Sequence, residues 1–562
     1  MAILHSPLAI VEPKPVPKGT PEYEQKRADL LNILSAKVPD ELRLPSTFFS
    51  NPPKDVSGVP ASCGILTASE IDITENYDAV GLAEAIAARK LTAVEVATAF
   101  SKRAIIAHQL TCCLTQWFMH EAIGRAQELD DYQQINGKTV GPLHGVPISI
   151  KEHIPIGGTW VSRGAFTSTQ FSEKDCQMVA LLRSMGAVFY CKTNQPQTIM
   201  HLETTSHHGR TLNPFNIHLS AGGSSGGEAA LVAMKGSVLG VGTDIGGSVR
   251  GPAAFCGVYG FKTTSYMMPS KDFLEFAFSG ELNIVASAGP FARTMRDMDL
   301  FMTTVLDRKP YLQDPRLIPF PWTGLNTQTK RPLKIGIIQN DGFIEPQPPV
   351  KRAIAWASQR LASPKYSSAF EIKPFTPYNA SEGWKNIRLM YWPSGGVGAE
   401  EAIKSSGEPL LPLSSWTWAD AAPKGMLDAE QVNTYRHIRD QYRHAFLASW
   451  NEQDVDVVLS PSFVGPASTH DTAFYWTYTS VWNLVDYPGV VVPTPIRAGK
   501  KGEEKYAEDY EPLSEECGHV KRLWDEGDFE GAPIGLQICA RRYHDNELFG
   551  ALKVLKEVLE LP

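Results

Sequence analysis

The rhythm of hydrophobic and polar positions changes about 140 residues into the chain. Before that point it is helical. An amphipathic helix is expected from Thr20-Pro21, because Thr caps a helix start and Pro fits the first turn. Helices near 79–89 and 93–109 follow a Pro/Ser-rich stretch at 45–60, and the second opens with the capping box Thr92-Ala-Val-Glu95. After residue 140, short unbroken apolar runs alternate with helical periods. The runs are VPISI (146–150), AVFYC (187–191), SVLGVG (237–242), LKIGII (333–338), DVVLS (456–460), GVVVPT (489–494) and IGLQICA (534–540), with helices near 176–185, 227–235 and 546–560. Strands that are apolar throughout, rather than alternating, belong to a sheet covered on both faces, so the fold class is α/β.

Two segments break this pattern. Residues 1–19 are Pro-rich and read as an arm, and residues 498–530 are strongly charged and read as a surface excursion.

Composition then narrows the function classes. The chain has 562 residues, 43% of them hydrophobic and 20% charged, enough apolar material for a large core. A formal net charge of -8, with Lys and Arg dispersed among acids, argues against a nucleic-acid footprint, which needs a concentrated basic face. The eight cysteines contain no C-x-x-C spacing, so reduced thiols are expected rather than a zinc or redox site. No window approaches the roughly 18 uninterrupted apolar residues of a membrane span, and the N-terminus lacks the basic region of a secretory signal. The expectation is a soluble, cytoplasmic protein.

The chemistry is concentrated in AGGSSGGEAALVAMKGSVLGVGTDIGGSVR (221–250). Gly222 and Gly227 have the spacing of a phosphate-binding loop, but Glu228 stands where the loop lysine belongs. Gly222-Gly-Ser224-Ser-Gly226 satisfies G-x-S-x-G, yet NPFNIHLSA before it reads as a loop rather than the strand a nucleophile elbow requires. Ser248 has the better context. An apolar strand leads into Thr243-Asp-Ile-Gly-Gly-Ser248, a turn whose glycines can present successive backbone N–H groups to an oxyanion. A serine nucleophile needs a base. H-E-x-x-H is absent, and His201-Leu-Glu203 lacks the P-C-x-x-C of a zinc deaminase. Lys151, at the end of VPISI, is the local candidate, because burial could keep its amine neutral. An ion-paired lysine at a strand end is the alternative.

These pieces do not stand alone. GPLHGVPISIKEHI, KTNQPQ, GRTLNPFN, GGSSGGEAALV and GVGTDIGGSVRGPAAFCGVYGFKTT follow one another with little slack, Lys151 preceding Ser224 by 73 residues and Ser224 preceding Ser248 by 24. This set resembles the amidase signature family. LTAVEVATAFSKRAIIAHQLT, NLVDYPGVVVPT and GAPIGLQICARR extend the resemblance, toward fungal acetamidase-type members, over roughly residues 63–562.

The resemblance implies a central mixed, twisted β-sheet with helices on both faces, formed by one catalytic domain (63–562) with its core at about 140–265. Residues 1–62 would then be an arm and helix packed on that domain, and the C-terminal half would supply the substrate pocket. It implies amide C–N hydrolysis through a Ser-Ser-Lys triad and an acyl-enzyme, with Ser248 as nucleophile, Ser224 as proton shuttle and Lys151 as base. It also implies a cis Gly223-Ser224 peptide and oxyanion donors at Ile245, Gly246, Gly247 and Ser248. Ile199 and Ser224 would contact substrate, while Gly223, Ser225 and an Asp244/Arg250 charge pair would support the turns. Small carboxamides are the expected substrates, with carbamates, anilides and esters in range. No cofactor or metal is implied, and a homodimer is compatible.

Trp384, Trp392, Trp416, Trp418, Trp476 and Trp482 are expected mostly in the core, one or two of them lining a narrow or aromatic acyl site. Two other functions share these motifs: an amidotransferase subunit that passes ammonia on within a complex, and a catalytically silent amidase-like binding protein.

Overall fold

A computed structural model of the chain describes residues 7–274 and 283–562. The first six residues of the expected arm lie outside the described residues. Among the described residues eleven strands join in one sheet. They are β1 Leu114–Trp117, β2 Pro147–Lys151, β3 Val188–Thr193, β4 Leu239–Asp244, β5 Tyr259–Lys262, β6 Ser287–Ala292, β7 Leu333–Ile337, β8 Phe370–Pro374, β9 Val457–Pro461, β10 Gly489–Arg497 and β11 Pro533–Ala540. Their lateral order is β1-β3-β2-β4-β6-β5-β10-β11-β9-β7-β8. The sheet is mixed. β2 runs parallel to both β3 and β4, β7 runs parallel to β8 and β9, and the remaining pairs are antiparallel.

Every residue of β2, β3, β4, β6 and β11 is buried, which requires cover on both faces and explains the apolar runs of β2, β3, β4 and β11. β8, at the edge, is only partly covered, with Glu371 and Pro374 exposed and Ile372 and Lys373 half-buried.

The helices expected before residue 140 form as Pro21–Ala36, Ala79–Ala87 and Ala93–Thr111. The Thr20 side chain accepts from Tyr23 N, and Thr92 and Glu95 exchange both bonds of a capping box. Such a cap is worth about 1 kcal/mol. The described part of the arm packs on the core: Val11 is buried and donates its N–H to Gln109 O, and Lys14 pairs with Asp471 at 2.7 Å.

Two local expectations change, and a third segment gains detail. NPFNIHLSA is not a loop but contributes to a two-stranded hairpin, Leu212–Asn213 with Asn216–Ser220, separate from the main sheet. β4 runs through Thr243 and Asp244, so the turn before Ser248 starts at Ile245. The charged excursion contains the helix Glu515–Glu526, whose Cys517, Val520 and Trp524 are buried on one side. No described helix is long and apolar enough to cross a membrane.

Candidate active site

The neighbouring parallel strands β2 and β4 end side by side, in the register Ile148↔Leu239 and Ile150↔Val241. Their carboxyl ends deliver Lys151 and Asp244, the usual place for a ligand site in a sheet with parallel strands. The Lys151 side chain is completely buried, with Nζ 2.6 Å from Ser224 Oγ and 3.3 Å from Thr243 Oγ1. Desolvation pulls its pKa down to about 7, against the pull of the Asp244 and Glu228 carboxylates toward the ammonium form. Glu228 is itself pushed up to about 7 by burial, although Ser149 and Thr193 donate to it.

Ser224 lies in the turn between the small hairpin and the helix Gly226–Ala233. Gly222 has φ +82°, and a Cβ there would sit 2.6 Å from Pro252 Cα, so only glycine fits. The Gly223-Ser224 peptide is cis. The Thr204 hydroxyl clips the turn from both sides, donating to Gly222 O at 2.9 Å and accepting from Gly226 N at 3.1 Å. Ser225 ties the two serine clusters together, since its N–H donates to Ser248 O at 3.1 Å and its hydroxyl to Thr243 O at 3.4 Å.

The turn carrying Ser248 is organised by Asp244. Its carboxylate accepts from the N–H groups of Gly247 (2.9 Å), Val249 (3.1 Å) and Arg250 (3.3 Å), and from Asn483 Nδ2 at 2.9 Å. Arg250 completes the set through Nε at 3.1 Å and a second guanidinium nitrogen at 3.0 Å. Burial alone would raise the Asp244 pKa, but the charge and hydrogen bonds of Arg250 hold it well below the usual carboxylate range. The expected pair is therefore present and fully buried. One of the four expected oxyanion donors is otherwise engaged: the Gly247 N–H points at Asp244 and shapes the turn, which leaves Ile245, Gly246 and Ser248 as candidates.

Ser224 and Ser248 share a cavity of about 180 Å³. Ile199 lines it from a left-handed backbone (φ +65°), next to Met200. Its remaining walls come mainly from residues 266–274, 285–288 and 314–317, including Tyr266, Met268, Phe273 and Leu317. The walls at 285–288 and 314–317 belong to the C-terminal half, but none of the six tryptophans lines this cavity. Trp384, Trp416 and Trp476 instead pack edge-on or tilted against one another with centroids 5.1–6.1 Å apart. Trp476 does reach Ser248 from another side, where it joins Tyr391, Met200, Leu202, Ile245 and Gly246 around a recess of about 10 Å³.

The geometry meets its relatives at this point. Residues 95–549 match the family model described as "Amidase". The chain belongs to the amidase family. The Schizosaccharomyces pombe protein C550.07 is 42% identical over 513 residues, 90% of this chain and 95% of its own. An acetamidase of Emericella nidulans is 34% identical, covering 96% of this chain and 98% of its own. The solved structure of a fatty acid amide hydrolase superposes with a TM-score of 0.88 at 32% identity, covering 96% of this chain and 95% of that one. The protein is thus an amide-hydrolysing enzyme, and the bond it cleaves is an amide C–N bond.

Motif reading missed one part of this amidase's site. His153 lines the cavity, its Nε2 3.3 Å from Thr243 Oγ1 and its Nδ1 2.8 Å from Gln195 Oε1, while Gln195 Nε2 donates to Ser162 O at 2.8 Å. Because the Gln195 amide nitrogen is the donor to Ser162, its oxygen accepts from His153 Nδ1–H. His153 Nε2 is then an acceptor for the Thr243 hydroxyl, whose oxygen is left to accept from Lys151. Burial, with Lys151 nearby, keeps the imidazole neutral by holding its pKa well below the ordinary histidine value. The chain of donors thus runs away from Lys151 through Thr243, His153 and Gln195 to Ser162. Its hydrogen-bonded partners lie 33 to 92 residues apart, so no local spacing marks the chain. Among the described residues no cluster of three or more His, Cys, Asp or Glu is arranged to hold a metal ion.

Proposed function

We propose that this amidase hydrolyses small neutral carboxamides, with carbamates and anilides in range, through an acyl-enzyme on Ser248. Neutral Lys151 draws the proton of Ser224 as Ser224 takes that of Ser248, and Ser248 Oγ attacks the carbonyl carbon. The amides of Ile245, Gly246 and Ser248 stabilise the oxyanion. Ser224 then returns its proton to the departing nitrogen, which must be protonated before it leaves. Water entering the same place releases the acid by the same relay.

The observation that carries this reading is the 2.6 Å approach of Lys151 Nζ to Ser224 Oγ, with the lysine pKa pulled down to about 7. A buried amine near neutrality has no need of a carboxylate partner and can act as a base. All eight cysteines are free thiols, seven of them buried, which supports a reducing, cytoplasmic setting. Ammonia released from simple amides by the purified single chain would favour hydrolysis over an amidotransferase role, and no release would favour the latter.

The test is covalent labelling by a fluorophosphonate, followed by peptide mass spectrometry. Label on Ser248 that disappears in Ser248→Ala supports the reading. Label that survives this substitution places the nucleophile elsewhere and overturns it.

A further inference from the structure

Ser248 borders two spaces of very different size, and only one of them reaches Ser224. The cavity of about 180 Å³ is lined by Ser224 and Ser248 together. The recess of about 10 Å³ touches Ser248, Ile245 and Gly246 but not Ser224. A volume of that order seats about one water-sized group.

The relay decides what enters each space. The departing nitrogen has to take its proton from Ser224 Oγ, so the substituent on nitrogen lies on the Ser224 side, in the wider cavity. The acyl substituent, on the opposite side of the carbonyl carbon, is left with the recess. Aromatic side chains close that recess: Tyr391 Oη donates to Ile245 O at 2.7 Å, and Trp476 is held against Trp384 and Trp416. Gly246 sits directly beneath them, where a Cβ would come within 2.7 Å of Tyr391 Oη and 3.3 Å of Trp476 Nε1. The wider cavity has apolar walls at Met268, Phe273, Leu274 and Leu317.

We infer that the enzyme prefers amides built from a short acyl group, about the size of acetyl, and a larger apolar amine. This rests on the Ser248–Ser224–Lys151 reading above. The acyl group enters the recess under Trp476 and Tyr391, and the amine substituent occupies the wider cavity beside Ser224.

A pair of constitutional isomers tests it, because both release unconjugated alkylamines. N-benzylacetamide places the ring on the amine, and N-methyl-2-phenylacetamide places it on the acyl group. At least a tenfold higher kcat/KM for N-benzylacetamide is expected, and Trp476→Ala, or the milder Trp476→Phe, should narrow that ratio by opening the recess. Equal rates, or preference for the phenylacetyl isomer, overturn the assignment. If wild-type enzyme hydrolyses neither isomer yet is labelled at Ser248, the substrate assignment falls alone. If Ser248 is not labelled either, the relay reading falls with it.

Discussion

Thr243 Oγ1 lies 3.3 Å from Lys151 Nζ and 3.3 Å from His153 Nε2, so one hydroxyl joins the lysine amine to a neutral imidazole. Since the imidazole accepts, the threonine oxygen faces the lysine. Thr243→Val removes the link while keeping the shape of the side chain. Kcat should fall about tenfold with KM little changed, the size of one buried hydrogen bond of roughly 1.4 kcal/mol, and Thr243→Ser should restore it. Steady-state kinetics on one amide substrate checks this. A loss confined to KM, or no rescue by serine, removes Thr243 from the orientation of the base.

Lys151→Ala removes the proposed base. Positioned proton transfer contributes about 10²–10⁴ in rate, so kcat should drop within that range while substrate binding is largely kept. If the whole loss appeared in KM, the lysine would be a binding group.

The buried Asp244–Arg250 pair predicts a stability effect separable from chemistry. Arg250→Met leaves the Asp244 carboxylate buried without its counter-charge, which costs about 3–5 kcal/mol. The urea midpoint of the variant should shift well below that of the wild type. An unchanged midpoint would mean that the backbone amides and Asn483 satisfy Asp244 unaided.

How far the sequence reveals this arrangement depends on the kind of residue. β2, β3, β4 and β11 are legible because burial on both faces demands apolar residues throughout. β6 is not, although it is central: SAGPFA carries Gly289 and Pro290, residues that normally read as a turn. A strand like Leu114–Trp117, four residues at the sheet edge, is too short to show a period. At the site, the glycines around Ser224 and Ser248 announce tight turns, and motif spacing picks out Lys151. The cavity wall at 266–274 and 285–288 has no such mark, because ordinary apolar side chains become a pocket only through the path of the chain. The Gly247 amide looked available in sequence, and only the fold shows Asp244 folded back to accept it.

The central claim is that a neutral Lys151 starts the relay, and the pH dependence of Ser248 labelling tests it most directly. The folded pKa of about 7 means that the amine is protonated below that pH and free above it. The second-order rate of fluorophosphonate labelling should therefore rise through an apparent pKa near 7 and level off at higher pH. Glu228→Gln should move that limb to lower pH, since the carboxylate favours the ammonium form. In Lys151→Met the limb should vanish along with most of the rate. The same limb persisting in Lys151→Met would assign the titration, and the base, to another group.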